Sequence, residues 1–157
     1  MTTYSFKSVG EKFIDNENIK NRATLRPIGL VTPLRISRSQ KDIFEMHYSP
    51  ESQISDNLRN LILTNRGERL GLHDFGADLK PIIFDAQLTD FESRVMSRIK
   101  TAVDKFMPFV ILDTFTVVVD NRSTSESMAS FVFDVGYSVP QLGIEDKALR
   151  IVLTAGG

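Results

Sequence analysis

From Ser49 onward the apolar positions keep helical time. SPESQISDNLRNLIL sets Ile54, Leu58, Leu61 and Ile62 at i, i+4, i+7 and i+8, one face of a helix, with Ser49 as N-cap and Pro50 at the first helical position. TNRGER then breaks the pattern, because Gly67 can adopt the positive φ of a tight turn beside polar Asn65 and Arg66. Phe75-Gly76 places an aromatic anchor next to a permissive glycine, so the chain can bend sharply while Phe75 plugs the core. Asp78 to Phe84 forms a short helical pattern with Leu79, Ile82 and Ile83 facing inward and Pro81 in its first turn. The longest periodic segment is LTDFESRVMSRIKTAVDKFM. Thr89 and Glu92 are spaced as a capping box, and Phe91, Val95, Met96, Ile99, Val103 and Phe106 form the expected buried stripe. Pro108 ends it by pushing Met107 out of helical geometry.

After Pro108 the period falls to that of strands. Phe109 to Val119 is rich in β-branched and aromatic residues. Ala129, Phe131, Phe133, Val135, Tyr137 and Val139 alternate with polar or small neighbours, and the polar segment Asp120 to Ser127 between the two runs predicts a β-hairpin. ALRIVLT predicts a terminal strand over 148–154. These elements predict an α+β domain over 46–157, with two or three helices packed on a small antiparallel sheet that includes the hairpin. Residues 1–45 read as an extended N-terminal arm. Pro27, Gly29 and Pro33 interrupt any helix there, yet Leu25, Ile28, Leu30, Val31, Leu34 and Ile36 are too many apolar residues for a simple solvated tail. About 30 extended residues reach roughly 100 Å, so the arm can dock at a distance or fold back on its own domain.

Composition narrows the chemistry more than it defines it. The 157 residues carry a net charge of -1, so there is no global steering towards nucleic acid or membrane. With no cysteine there is no disulfide framework and no thiolate metal site. No apolar run approaches the ~18 residues of a membrane span. Asn18 to Lys41 holds Lys20, Arg22, Arg26, Arg35, Arg38 and Lys41 and no acid, and Arg22, Arg26, Arg35 and Arg38 are the candidate arm-docking residues. This stretch lacks the interleaved aromatics of a nucleic-acid surface, so acidic or polar protein surfaces are its expected partners, not nucleic acid. His47 and His73 stand apart, and Asp74 and Asp78 read as a loop residue and a helix-start charge, so no metal or cofactor is expected. Neither a G-x-S-x-G nor a P-loop nor an H-E-x-x-H motif is present, and no catalytic residues are expected.

The ordered set Leu61-Ile62-Leu63-Thr64, Gly67-Glu68-Arg69, Phe75-Gly76 and Phe84-Asp85, followed by a long helix, a proline and a hairpin, resembles the baseplate wedge proteins of contractile phage tails. That family includes the small T-even wedge subunit and relatives in pyocins and type VI secretion baseplates, and the likeness spans Ile54 to Tyr137. The resemblance implies a non-enzymatic structural protein of the virion tail baseplate, assembled in the host cytoplasm, that joins the wedge core to the first sheath ring and initiates sheath assembly. Its implied partners are other wedge proteins, the sheath subunit and tube or hub-side baseplate proteins, with about six copies per assembly following tail symmetry. Thr64, Gly67, Glu68, Arg69, Phe75, Gly76 and Phe84 are the implied scaffold. The family carries Glu-Pro-Arg after the long helix, a charged knob implied to grip the wedge core. Met107-Pro108-Phe109 stands there instead, which turns a charged grip into an apolar one. The terminal strand, with Leu149, Ile151 and Leu153, is implied in strand exchange with sheath neighbours. The family also holds small soluble regulators, and it has been labelled a lysozyme. A regulatory binding module and a cell-wall lytic enzyme are therefore the alternatives.

Overall fold

The computed structural model describes residues 26–38, 42–84, 90–120 and 129–155. The chain divides into two compact units, Met1–Pro50 and Glu51–Gly157. The architecture is α+β, with three helices and two antiparallel sheets, of two and three strands, among the described residues.

In the first unit, β1 (Gly29–Leu30) pairs with β2 (Met46–His47), and an Ile36–Phe44 bridge extends the ladder. Main-chain bonds from Val31 N–H to Glu45 O (3.0 Å), Glu45 N–H to Arg35 O (2.9 Å) and Ser37 N–H to Ile43 O (3.0 Å) fill the interval. The described part of the segment read as an arm is thus an antiparallel ladder paired on itself.

The second unit is built on α1 (Pro50–Leu63), α2 (Lys80–Phe84) and α3 (Phe91–Phe106). Its sheet is ordered β3-β4-β5, with β3 Ile111–Asp120, β4 Ala129–Val139 and β5 Ile144–Ala155. Alternation along β4 turns Phe131, Phe133, Val135, Tyr137 and Val139 inward, and all five are buried. Leu149 and Ile151 of β5 stand opposite Val135 and Phe133 on this face. Phe91 of α3 reaches the sheet with its ring centroid 5.0 Å from that of Phe131. The helical stripes Ile54, Leu58, Leu61, Ile62 and Val95, Ile99, Val103 join the same core. On the outer face Arg150 donates to both carboxylate oxygens of Asp134 across the β4–β5 pair, at 2.7 and 2.8 Å.

Three details depart from the sequence reading. Met96 is 51% exposed, and Ala102 takes a place in the buried stripe of α3. The small side chain lets the helix sit closer, while flexible Met96 stays at the rim. The N-cap of α3 is Asp90, with no side-chain capping bond, so Glu92 is not three residues inside the helix as a capping box requires. Thr89 lies outside the described residues. The helix start is held instead by the Asp90 carbonyl, which accepts from Arg94 N–H (3.0 Å) and from the Ser93 hydroxyl (2.9 Å). The terminal strand is longer than expected, because a Pro140–Leu142 turn closed by Gly143 (φ +64) returns the chain directly onto β4.

Between α1 and α2 the backbone of Gly76 (φ +114) passes so close to Thr64 that an added Cβ would sit 2.2 Å from the Thr64 carbonyl oxygen. Gly71 has φ +77 but open space around it. Gly76→Ala is therefore expected to cost about 2–4 kcal/mol, as a backbone clash adds to left-handed strain. Gly71→Ala should cost only about 1 kcal/mol, from the strain alone. Urea denaturation of the two variants side by side checks this, with Gly76→Ala losing clearly more.

Candidate functional site

The connector from Thr64 to Leu79 is organised by the unpaired carbonyls that every helix leaves at its C-terminal end. Ala77 N–H donates to Leu61 O (3.1 Å) and Asp78 N–H to Thr64 O (3.3 Å), so the returning chain caps the last turn of α1. Thr64 closes the same turn through its amide and its hydroxyl, both donating to Asn60 O at 3.1 and 2.6 Å. The excursion between these anchors is cross-braced by Gly67 N–H to His73 O (2.7 Å), with Gly67 at φ +86.

Glu68 and buried Asn65 lock the base of the loop. One carboxylate oxygen of Glu68 accepts from Asn65 N–H at 2.9 Å, and the other accepts from the Asn65 side-chain amide at 2.8 Å and from Lys80 Nζ at 3.3 Å. The Asn65 side-chain oxygen in turn accepts from Lys80 N–H at 3.3 Å, at the start of α2. The Asn65 backbone bond, then the Asn65 side chain and Lys80, hold the Glu68 carboxyl down at about 2. On sequence grounds a charged turn residue such as Glu68 has no assigned partner. The signal for this knot was Asn65, a polar residue just past the buried stripe, but its burial comes from the chain folding back over it.

The loop then meets the end of α3. Phe75 packs edge-on against Phe106, with centroids 5.0 Å apart, and the Arg69 guanidinium lies 4.4 Å from the Phe75 centroid. Lys105 pairs with Asp74, whose carboxyl is held below its usual range by that hydrogen bond, and Arg98 pairs with Asp78 at 3.0 Å. Between α1, the loop and the end of α3 lies an open groove of about 610 Å³. Leu61, Phe75, Phe106 and Met107 give it an apolar floor, and Asn57, Asn60, Thr64, Glu68 and Arg69 give it a polar rim. A groove of this kind can hold an amphipathic segment of another chain. Leu70 stands 99% exposed at the loop tip.

The structure brings some sequence candidates together and separates others. Thr64, Glu68, Arg69 and Phe75 line the groove, and Gly67 and Gly76 shape the loop behind it. Phe84 is exposed at the end of α2. The Met107-Pro108-Phe109 trio is split. Met107 is buried and lines the groove, whereas Pro108 and Phe109 face outward on a turn closed by Val110 N–H to Met107 O (2.9 Å). Leu149 and Ile151 lie in the chain's own core, and Leu153 is half-buried. Arg26, Arg35 and Arg38 belong to the first unit and are exposed, and Arg22 lies outside the described residues. Among the described residues no His, Asp and Glu group has the arrangement of a metal site, and no helix is long and apolar enough to cross a membrane.

No protein-family model matches the sequence, and no curated protein matches it. Among solved structures the chain is similar to a chain of the anti-feeding prophage baseplate, from its six-fold symmetrised cryo-electron-microscopy structure. The TM-score is 0.58 at 19% identity, over 74% of this chain and 87% of that one. It is also similar to the crystal structure of a Geobacter sulfurreducens protein provisionally assigned as a tail lysozyme, with a TM-score of 0.52 at 22% identity, over 71% of this chain and 95% of that one. At these identities the likeness establishes a common fold.

Because the folded-state value of Glu68 lies below its ordinary 4.5, its contribution to stability is complete above 4.5 and is lost as the pH falls through about 2. Glu68→Gln should flatten the acid limb of the stability–pH profile in that window, relative to the parent. Asn65→Ala should cost about 2 kcal/mol at neutral pH, since it strips partners from both Glu68 and the start of α2. Chemical denaturation of both variants across the acid range measures each effect.

Proposed function

We propose that this chain is a structural component of a contractile-tail baseplate, placed in the wedge or inner ring, that links the wedge core to the first sheath ring and starts sheath assembly. The observation that carries this reading is the fold match to the anti-feeding prophage baseplate, which takes in 74% of this chain and 87% of that one. The connector motif and the succession of helix, proline and hairpin support the wedge assignment. On this reading the chain works in the virion tail baseplate, with other wedge proteins and the sheath subunit as partners, and is assembled in the host cytoplasm.

Each partner has a surface to use. The wedge core meets exposed Pro108 and Phe109, beside the groove that Met107 helps to line. Sheath contact is served by the outer edges of the β3-β4-β5 sheet, not by release of β5, because Leu149 and Ile151 leave a buried core if β5 departs.

The neighbour's assignment as a tail lysozyme raises a lytic reading. Glycoside hydrolysis asks for a carboxylic acid that stays protonated near neutral pH. Glu68, the carboxylate at the groove, is held at about 2 and is ionised there, so it is unsuited to that duty. We accordingly read the chain as non-enzymatic.

Quantitative mass spectrometry of particles purified from the source, with and without their sheaths, tests the assignment. The expected outcome is about six copies per particle, retained when the sheath is stripped. Phe109→Asp should lower that occupancy while leaving the thermal melting of the isolated chain unchanged. Absence from every particle overturns the structural reading in favour of a soluble binding module. Clearing of a peptidoglycan suspension by the purified chain would overturn the non-enzymatic reading.

A further inference from the structure

The connector carries an apolar side chain that its own fold keeps away from its own groove. Leu72 N–H donates to Arg69 O at 3.2 Å and Gly71 has φ +77, so residues 69–72 form a type II turn with Leu70 at its first central position. Leu70 is 99% exposed there. The turn is not free to fold Leu70 inward. Its base is tied by the bond from Gly67 N–H to His73 O (2.7 Å), and Phe75 behind it is packed on Phe106. A single exposed leucine is ordinary on a protein surface. This one follows Arg69, which lines the groove, so it stands beside an open apolar site. The half-buried rings of Phe75 and Phe106 are the part of that floor a further side chain can reach.

Charge at the rim is self-complementary. Glu68 and Arg69 are neighbours on it, one of each sign. One Glu68 oxygen accepts from the Asn65 side chain and from Lys80 Nζ. The other accepts from Asn65 N–H alone among the described residues, which leaves it room for a further donor. Arg69 lies over Phe75 and forms no ion pair with another described residue. A knob, a groove and two opposite charges set side by side match the same surface turned by a two-fold rotation, which is the condition for an isologous contact.

We propose that two copies of this chain pair about a two-fold axis at the connector, each placing Leu70 against Phe75 and Phe106 in the groove of the other. Arg69 of each copy donates to the open Glu68 oxygen of the other, so each groove is completed by side chains of the second copy. A foreign segment would need to bring its own apolar anchor and its own charges, whereas a second copy already carries both. The pairing is read from the connector and tested on the isolated chain, so it and the baseplate reading can fail separately.

Sedimentation equilibrium of the full chain from about 5 to about 500 µM should show a reversible monomer–dimer equilibrium. Its dissociation constant should be on the order of 10–100 µM, since two leucines and two ion pairs make a small contact. Raising salt from about 50 to about 500 mM should weaken it, as the rim pairs are screened. Leu70→Asp removes the knob, and Asn57→Arg, at an exposed position of the rim, blocks the groove. Each should weaken self-association roughly tenfold or more, with little change in thermal melting. The decisive sample mixes the two variants. One contact, Leu70 of the Asn57→Arg chain in the groove of the Leu70→Asp chain, is intact only in the mixed pair. Mixed pairs should therefore form more tightly than either variant does with itself, which neither a loss of folding nor a contact elsewhere on the chain would produce. A chain that stays monomeric across the concentration range overturns the proposal. So does a dimer that Leu70→Asp leaves intact, a mixture no tighter than its components, or association that runs past the dimer.

Discussion

The second unit depends on a backbone contact at the end of its first helix. The carbonyls of Leu61 and Thr64 have no partner within α1, and burying them unpaired would be costly. Ala77 and Asp78 supply the donors, and they can do so because Gly76 presents no side chain to Thr64. That approach sets where the chain re-enters, and so where α2 begins, how Phe75 reaches Phe106, and the depth of the groove between them. A loop that serves only as a link could be longer or looser. This one is held at both ends and braced across its middle.

Electrostatics repeat the same theme at smaller scale. Glu68 takes hydrogen bonds from its own turn and from the start of α2, so one carboxylate joins two segments that are remote in sequence. Arg69 lies over Phe75, and Lys105 and Arg98 of α3 pair with Asp74 and Asp78 of the connector. Exposed pairs of this kind contribute little individually to stability. Here they orient the connector over the end of α3.

The two units handle apolar surface in opposite ways. In the second, the helices and the inner face of the sheet bury a shared core, and β5 completes the sheet with its own buried side chains. In the first, a short ladder leaves large apolar residues in water.

Periodicity by itself determined the three helices and the β3–β4 hairpin of the second unit, though not the ladder of the first or the full length of β5, because burial on one face leaves a pattern that needs no knowledge of the partner face. Ile54 through Ile62 and Phe131 through Val139 show it directly. It also marked Phe75-Gly76 as a bend, although Phe75, expected to plug the core, is half-buried against Phe106 and lines the groove. What lay beyond it depended on contacts between distant segments. Met96, expected in the buried stripe, stayed at the rim while Ala102, to which the pattern assigned no place, was buried, because helix approach, not hydrophobicity, decides which side chain fits. Met107 turned inward while Pro108 and Phe109 turned out, a division that apolar character alone cannot make. Glu68 bonds Asn65 within its own turn, but Asn65 became buried and Glu68 added Lys80 only when the chain returned beside them. Local pattern records which face of an element is dry. Only the folded chain decides what each remaining side chain meets, because those partners lie many residues away and come together only when the backbone closes.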